Sequence, residues 1–90
     1  MRGNLLFYEQ RTRLLITLLN NPNLNIAGLA RKNKNLYESI YYNIKLFEEI
    51  GIVDKQEVNK KTFLYKLNKT GVIIASNILE IFNIIGVQNG

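Results

Sequence analysis

The chain has 90 residues, of which 12 are Lys or Arg and 7 are Asp or Glu, giving a formal charge of +5 at pH 7. That size suits one small fold and leaves little room for a second, and the positive balance favours an anionic partner. It holds no cysteine and no histidine, which excludes disulfides and thiolate metal sites and removes the usual general base.

No glycine-rich phosphate loop and no carboxylate cluster with metal spacing occurs, so an enzyme is not expected, and neither is a metal or cofactor site. Residues 1–10 carry no long apolar run before charges resume, unlike a signal peptide. No stretch reaches the ~18 uninterrupted apolar residues of a membrane span. A cytoplasmic protein without membrane association is therefore expected, folded as one domain over residues 1–90 with a core from 6 to 67.

The first helix is expected over residues 6–20, with Leu14, Leu15, Leu18 and Leu19 facing the core and Glu9, Arg11 and Arg13 facing solvent. A later start, with residues 4–8 extended against another chain, is the alternative. Asn20, Asn21, Pro22 and Asn23 form a turn cluster that stops the helix. A short second helix follows over residues 26–33, capped by Asn25 and buried along Ile26, Leu29 and Ala30. Gly28 either weakens that helix or allows close packing against the third. Arg31, Lys32 and Lys34 make a basic knot in the next turn.

The third helix is the most informative stretch. At 100° per residue, Leu36, Ile40, Ile44 and Phe47 fall in one narrow arc, the core stripe. The opposite face carries Glu38, Tyr42, Lys45 and Glu49, with Ser39 and Tyr41 on the flanks. Tyrosines, a serine and a lysine suit contact with phosphates and base edges better than mere solvation. Gly51 stands where a left-handed helix cap wants it.

The period then changes to that of strands. Residues 52–58 and 62–67 read as a β-hairpin whose tip, Asn59-Lys60-Lys61, is polar and basic. Phe63, Tyr65 and Leu67 alternate with Leu64 and Lys66, and Leu64 is the one apolar residue on the nominally outer face. Asn68 caps a last helix over residues 69–85. Gly71, Ala75, Ile78, Phe82 and Ile85 point one way on that helix, flanked by Ile74 and Ile81; only Ser76, Glu80 and Asn83 make a polar stripe. One small domain cannot bury so much surface, so a homodimer built on this helix is expected, through Val72, Ile73, Leu79, Ile84 and Val87.

The order of helix, turn, short helix, turn, amphipathic helix, glycine, hairpin and helix resembles the winged helix-turn-helix regulators. The segment Leu24-Asn25-Ile26-Ala27-Gly28-Leu29-Ala30 is similar to their entry into the second helix, "leucine, x, isoleucine, x, x, leucine, alanine". Residues Asn43-Ile44-Lys45 and Phe47-Glu48-Glu49-Ile50-Gly51-Ile52-Val53 resemble "histidine-leucine-lysine…leucine-glu-glu-x-gly-leucine-val". Tyr65-Lys66-Leu67-Asn68-Lys69-Thr70-Gly71 is similar to "tyr-arg-leu-thr-x-x-gly", which closes the wing. The resemblance covers about residues 10–75 and does not separate MarR-like, ArsR-like and archaeal or viral branches.

It implies a mainly α fold of order α-α-α-β-β-α and a dimeric transcription regulator of double-stranded DNA. The third helix would enter the major groove and the hairpin tip would approach the minor groove or backbone. Carried over by position, Tyr37, Ser39, Tyr41, Tyr42 and Lys45 would face DNA from the third helix. Lys60 and Lys61 would do so from the wing, and Arg31, Lys32 and Lys34 from the turn.

The chain departs from the pattern in four ways. The second turn lacks the usual glycine and Ser-Pro-Ser elements. Asn33 stands where an apolar residue often packs, which points to a register one residue displaced. Glu38 faces outward and the helix has no arginine for guanine. A winged-helix module that binds protein and a non-specific architectural DNA binder are the competing readings. No convergent polar residues mark a site for a small-molecule effector.

Overall fold

A computed structural model describes residues 9–86. The elements run α1 (Glu9–Asn20), α2 (Ile26–Asn33), α3 (Tyr37–Glu49), β1 (Val53–Asn59), β2 (Thr62–Leu67) and α4 (Lys69–Ile84). The expected extension of the first helix to residue 6, the alternative extended segment 4–8 and the expected contact of Val87 lie outside the described residues. Where the last helix was expected to run to residue 85, Ile85 is its cap.

Side-chain and backbone caps set the helix boundaries. Asn25 accepts from the Gly28 amide at 2.8 Å and Asn68 from the Gly71 amide at 2.9 Å, as the two N-cap assignments require. Gly51 ends α3 at φ +79°. Its amide donates to Glu48 O at 3.1 Å and the Ile52 amide donates to Phe47 O at 3.0 Å. This paired closure satisfies two orphan carbonyls and turns the chain into β1.

The core lies where α1, α2, α3 and the base of the hairpin meet. Leu14, Leu15, Leu29, Ile44 and Phe47 are fully buried there, each a side chain whose burial is worth about 1.5–3 kcal/mol. α4 adds Ala75 and Ile78 and lies on α1 and β2. The hairpin is antiparallel, pairing Val53 with Leu67, Lys55 with Tyr65 and Glu57 with Phe63, with a bulge before Asn59. The loop after α1 adds a bridge to its free edge. Tyr65 N donates to Leu24 O and Asn23 N donates to Tyr65 O, both at 2.9 Å. Asn23 reaches this position at φ +67°, which asparagine tolerates better than most residues. The bridge ties the wing strand to the entrance of α2.

Several expectations are corrected. Leu36 is 77% exposed, not core. It is the N-cap of α3 with extended ψ 146°, so the helical wheel does not apply to it. Arg11 is not free in solvent: its Nε donates to Asn43 Oδ1 of α3 at 3.0 Å and satisfies an otherwise buried amide. Ile85 is exposed: it is the cap that follows the last turn of α4 and does not join the buried face of Ala75 and Ile78. A Cβ on Gly28 would meet Asn25 Oδ1 at 3.1 Å and Leu24, so the cap and its loop limit the space there, not α3. Asn33 occupies its apolar-type position with no slip of register: it is buried, accepts from the Thr17 hydroxyl and donates to Asn35 Oδ1 at 2.9 Å. Leu64, apolar on the outer face, is half-buried.

Candidate nucleic-acid interface

The second turn builds one side of the site. α2 ends at Lys34, which takes a left-handed conformation at φ 57° and ψ 41°. Its amide donates to Arg31 O, and the next amide, Asn35 N, donates to Ala30 O at 3.1 Å. A non-glycine residue in this region costs about 1–2 kcal/mol. Lys34→Gly is therefore expected to stabilise the chain by about 1 kcal/mol, read as a higher denaturant midpoint at unchanged slope. A lower midpoint would contradict the strain.

α3 presents a tyrosine face. Tyr37 is 55% exposed and Tyr42 71%. Tyr41 is partly exposed and meets the Tyr42 ring edge-on, with centroids 6.1 Å apart. Ser39 is half-buried on the flank. Lys60 and Lys61 are exposed at the hairpin tip, where the Lys61 amide donates to Asn59 Oδ1 at 2.9 Å.

Three elements converge on a concavity of about 290 Å³. Tyr37 and Tyr41 line it from α3, Lys61 and Phe63 from the wing, and Asn25 and Ala27 from the start of α2. Of the residues expected at the interface, Tyr37, Tyr41 and Lys61 thus share one surface. Arg31 and Lys32 instead border a separate depression with Leu24 and Gly28. Ser39, Tyr42 and Lys60 do not line the concavity.

Lys45 is more constrained than a solvated lysine. Its Nζ lies 3.6 Å from Glu48 Oε1 and 5.3 Å from the centre of the Tyr41 ring. Lys55 of β1, which the reading of the sequence missed, lies 4.0 Å from the other Glu48 oxygen and 4.8 Å from the centre of the Phe63 ring. The signal for it is strand alternation. Counting by two from the buried Val53 puts Lys55 on the inner face, where an apolar residue is expected. Its β2 partner, Tyr65, is buried.

The Glu48 carboxylate beside Lys45 holds its ammonium above the usual lysine range, against an opposing contribution from burial. Burial, then the Glu48 charge, pushes the Tyr65 phenol up as well. Both groups are raised in the folded state. Their contributions to stability are therefore complete below the ordinary lysine and tyrosine values and are lost as pH rises beyond them. With no histidine in the chain, the thermal midpoint should hold from pH 6 to pH 9 and fall above about pH 10. A fall of several degrees between pH 7 and pH 9 in a series of melts would contradict this.

Among the described residues, no group of three or more His, Cys, Asp or Glu is placed to hold a metal ion, and no helix is long and apolar enough to cross a membrane.

Three helices, an antiparallel hairpin and a fourth helix, with α2 and α3 joined by a tight turn and the hairpin folded beside α3, define a winged helix-turn-helix fold. The hairpin is the wing. The chain is similar in structure to AF1382 from Archaeoglobus fulgidus, with 29% identity over 94% of this chain and 97% of that one, at a TM-score of 0.77. It is also similar to MepR of Staphylococcus aureus, crystallised with DNA, at 11% identity, 94% of this chain, 75% of that one and a TM-score of 0.77. A third structure, FabT of Streptococcus pneumoniae in complex with DNA, shares 12% identity over 91% of this chain and 63% of that one, at a TM-score of 0.69. No protein-family model matches the sequence, and no curated protein matches it significantly.

Proposed function

We propose that this chain binds double-stranded DNA as a homodimeric, sequence-specific transcription regulator in the cytoplasm, with α3 in the major groove and the wing on the backbone or minor groove. The observation that carries this reading is the shared concavity, where Tyr37 and Tyr41 of α3 meet Lys61 and Phe63 of the wing. Tyrosine hydroxyls and lysine ammonium groups suit phosphate oxygens, and the rings suit thymine methyls. Tyr42, Ser39 and Lys45 extend the face along α3. Lys60 at the tip and Arg31, Lys32 and Lys34 at the turn extend its positive charge. The DNA complexes of MepR and FabT, which have this fold, support the same reading.

The dimer is proposed on the outer side of α4. Val72 with the half-buried Leu79 and Ile73 with Ile84 lie on the two sides of the stripe of Ser76, Glu80 and Asn83, and Val72, Ile73 and Ile84 are exposed, apolar area suited to a second copy. Twofold symmetry would set two α3 helices ~34 Å apart, one turn of DNA.

A second reading, a protein-binding winged helix, is favoured by the exposure of Leu36, Tyr37 and Tyr42 and by the outward Glu38.

The test is titration of a random duplex pool at two salt concentrations, with the mass in solution taken alongside. Salt-sensitive binding by a dimer, with enrichment of a palindrome, is the expected result. A monomeric mass would remove the dimer. Binding without enrichment would remove sequence specificity. No binding at low salt would overturn the reading in favour of the protein-binding module.

A further inference from the structure

We propose that Lys45 and Lys55 form a backbone-phosphate site at the junction of α3 and the wing, and that the Glu48 carboxylate fills it when no nucleic acid is bound. The inference rests on the DNA-binding reading and adds to it a site, a second lysine and a built-in competitor.

Glu48 stands between two cations from different elements, Lys45 one turn back on α3 and Lys55 on β1. Its separations from them, 3.6 and 4.0 Å, are too long for good hydrogen bonds. Its Oε1 is buried and accepts no hydrogen bond. The carboxylate is thus held mainly by charge, in a place where a tighter anion would be favoured. A phosphate carries more oxygens on a longer reach, and an ammonium group, a compact point charge, follows either anion without a geometric requirement.

The lysines are also placed to remain when Glu48 leaves. Lys45 sits over the Tyr41 ring and Lys55 over the Phe63 ring. Those two rings, one from α3 and one from the wing, both line the concavity that Tyr37 and Lys61 also line. Each ammonium group is thus held by the face of a ring that lines the concavity, although neither lysine lines it itself. Both side chains are partly open to solvent, 41% for Lys45 and 36% for Lys55, so a phosphate can reach them.

In this arrangement Glu48 limits affinity. Each protomer must break two ion pairs before its lysines engage the duplex, and the displaced carboxylate stays near the backbone.

The test uses Glu48→Gln, which keeps the shape and removes the charge, with its melting midpoint measured to establish that it folds. Affinity for a random duplex should rise about threefold to tenfold, with the salt slope close to that of the unaltered chain, because the same phosphates are neutralised in both complexes. Adding Lys45→Gln and Lys55→Gln should abolish the gain. Independently, Lys55→Gln in the otherwise unchanged chain should flatten the slope by about one for each phosphate left without its lysine. Unchanged affinity in Glu48→Gln, or weaker binding, would overturn the proposal, as would an unchanged slope in Lys55→Gln. If the unaltered chain binds the duplex while these variants fail, the DNA-binding reading stands and only the site falls. If neither it nor Glu48→Gln binds at low salt, both are overturned.

Discussion

Gly71→Ala is expected to lower the thermal midpoint by about 12 °C or more, from a loss of about 3 kcal/mol. The residue is in the first turn of α4, where the helix crosses the chain leaving α3. A Cβ there would stand 2.2 Å from Ile52 O and 3.1 Å from Leu67 Cβ. The first contact is with backbone, which cannot swing aside like a side-chain tip. Ile52 O also accepts from the Asn68 amide at 3.0 Å, and the Asn68 side chain donates to Gly51 O at 2.7 Å. Moving the helix off Ile52 would therefore break the hydrogen bonds that join the cap of α4 to the turn after α3. Total stability for a chain this size is roughly 5–13 kcal/mol, so the loss is a large part of it. A midpoint within 2 °C of the unaltered chain would mean that α4 does not approach Ile52 in this way. The start of α4 and the base of the wing share this junction.

The double reversal Lys60→Glu with Lys61→Glu is expected to weaken duplex binding about tenfold to a hundredfold at moderate salt. Both side chains are exposed at the hairpin tip. Reversing them takes two cations away from the phosphates and puts repulsion in their place. The slope of log affinity against log salt should flatten by about 0.9 for each phosphate no longer neutralised. Stability should change by less than about 0.5 kcal/mol, because the tip hydrogen bond uses the Lys61 backbone amide and survives the change. An unaltered affinity and slope would remove the wing from the proposed interface. Weaker binding together with a large fall in midpoint would mean that the tip has a folding role the structure does not show.

Much of the fold could be read from local chemistry. Asn25, Gly51 and Asn68 mark helix ends because capping depends on a few neighbouring backbone groups. The apolar spacing of Ile40, Ile44 and Phe47 and the alternation of Tyr65 with Leu67 carry burial directly. The errors arose where burial depends on distant partners or on a boundary. Leu36 fits the stripe of α3 by spacing but precedes the helix, so its side chain departs from the wheel. Arg11 finds Asn43 across 32 positions of sequence, a pairing no local pattern contains. The bridge of Leu24 to Tyr65 likewise joins segments far apart in the chain.

The candidate site was legible in composition and less so in arrangement. The tyrosines of α3 and the lysines of the tip stand out in the sequence. Which of them share a surface depends on the angle of the wing, which Lys55, Glu48 and Phe63 help to set through contacts between elements. Lys34 shows the opposite case. The missing glycine of the second turn was visible, and the structure supplies its consequence, a lysine held in a left-handed cap.

The most direct test of the central claim is an amide chemical-shift titration of the isotope-labelled chain with a short duplex at low salt. The account predicts the largest changes at residues 25–27, 37–45 and 59–63, with little change along the outer side of α4. Changes concentrated on α4, or none at any duplex concentration, would contradict the assignment of the concavity between α3 and the wing to DNA.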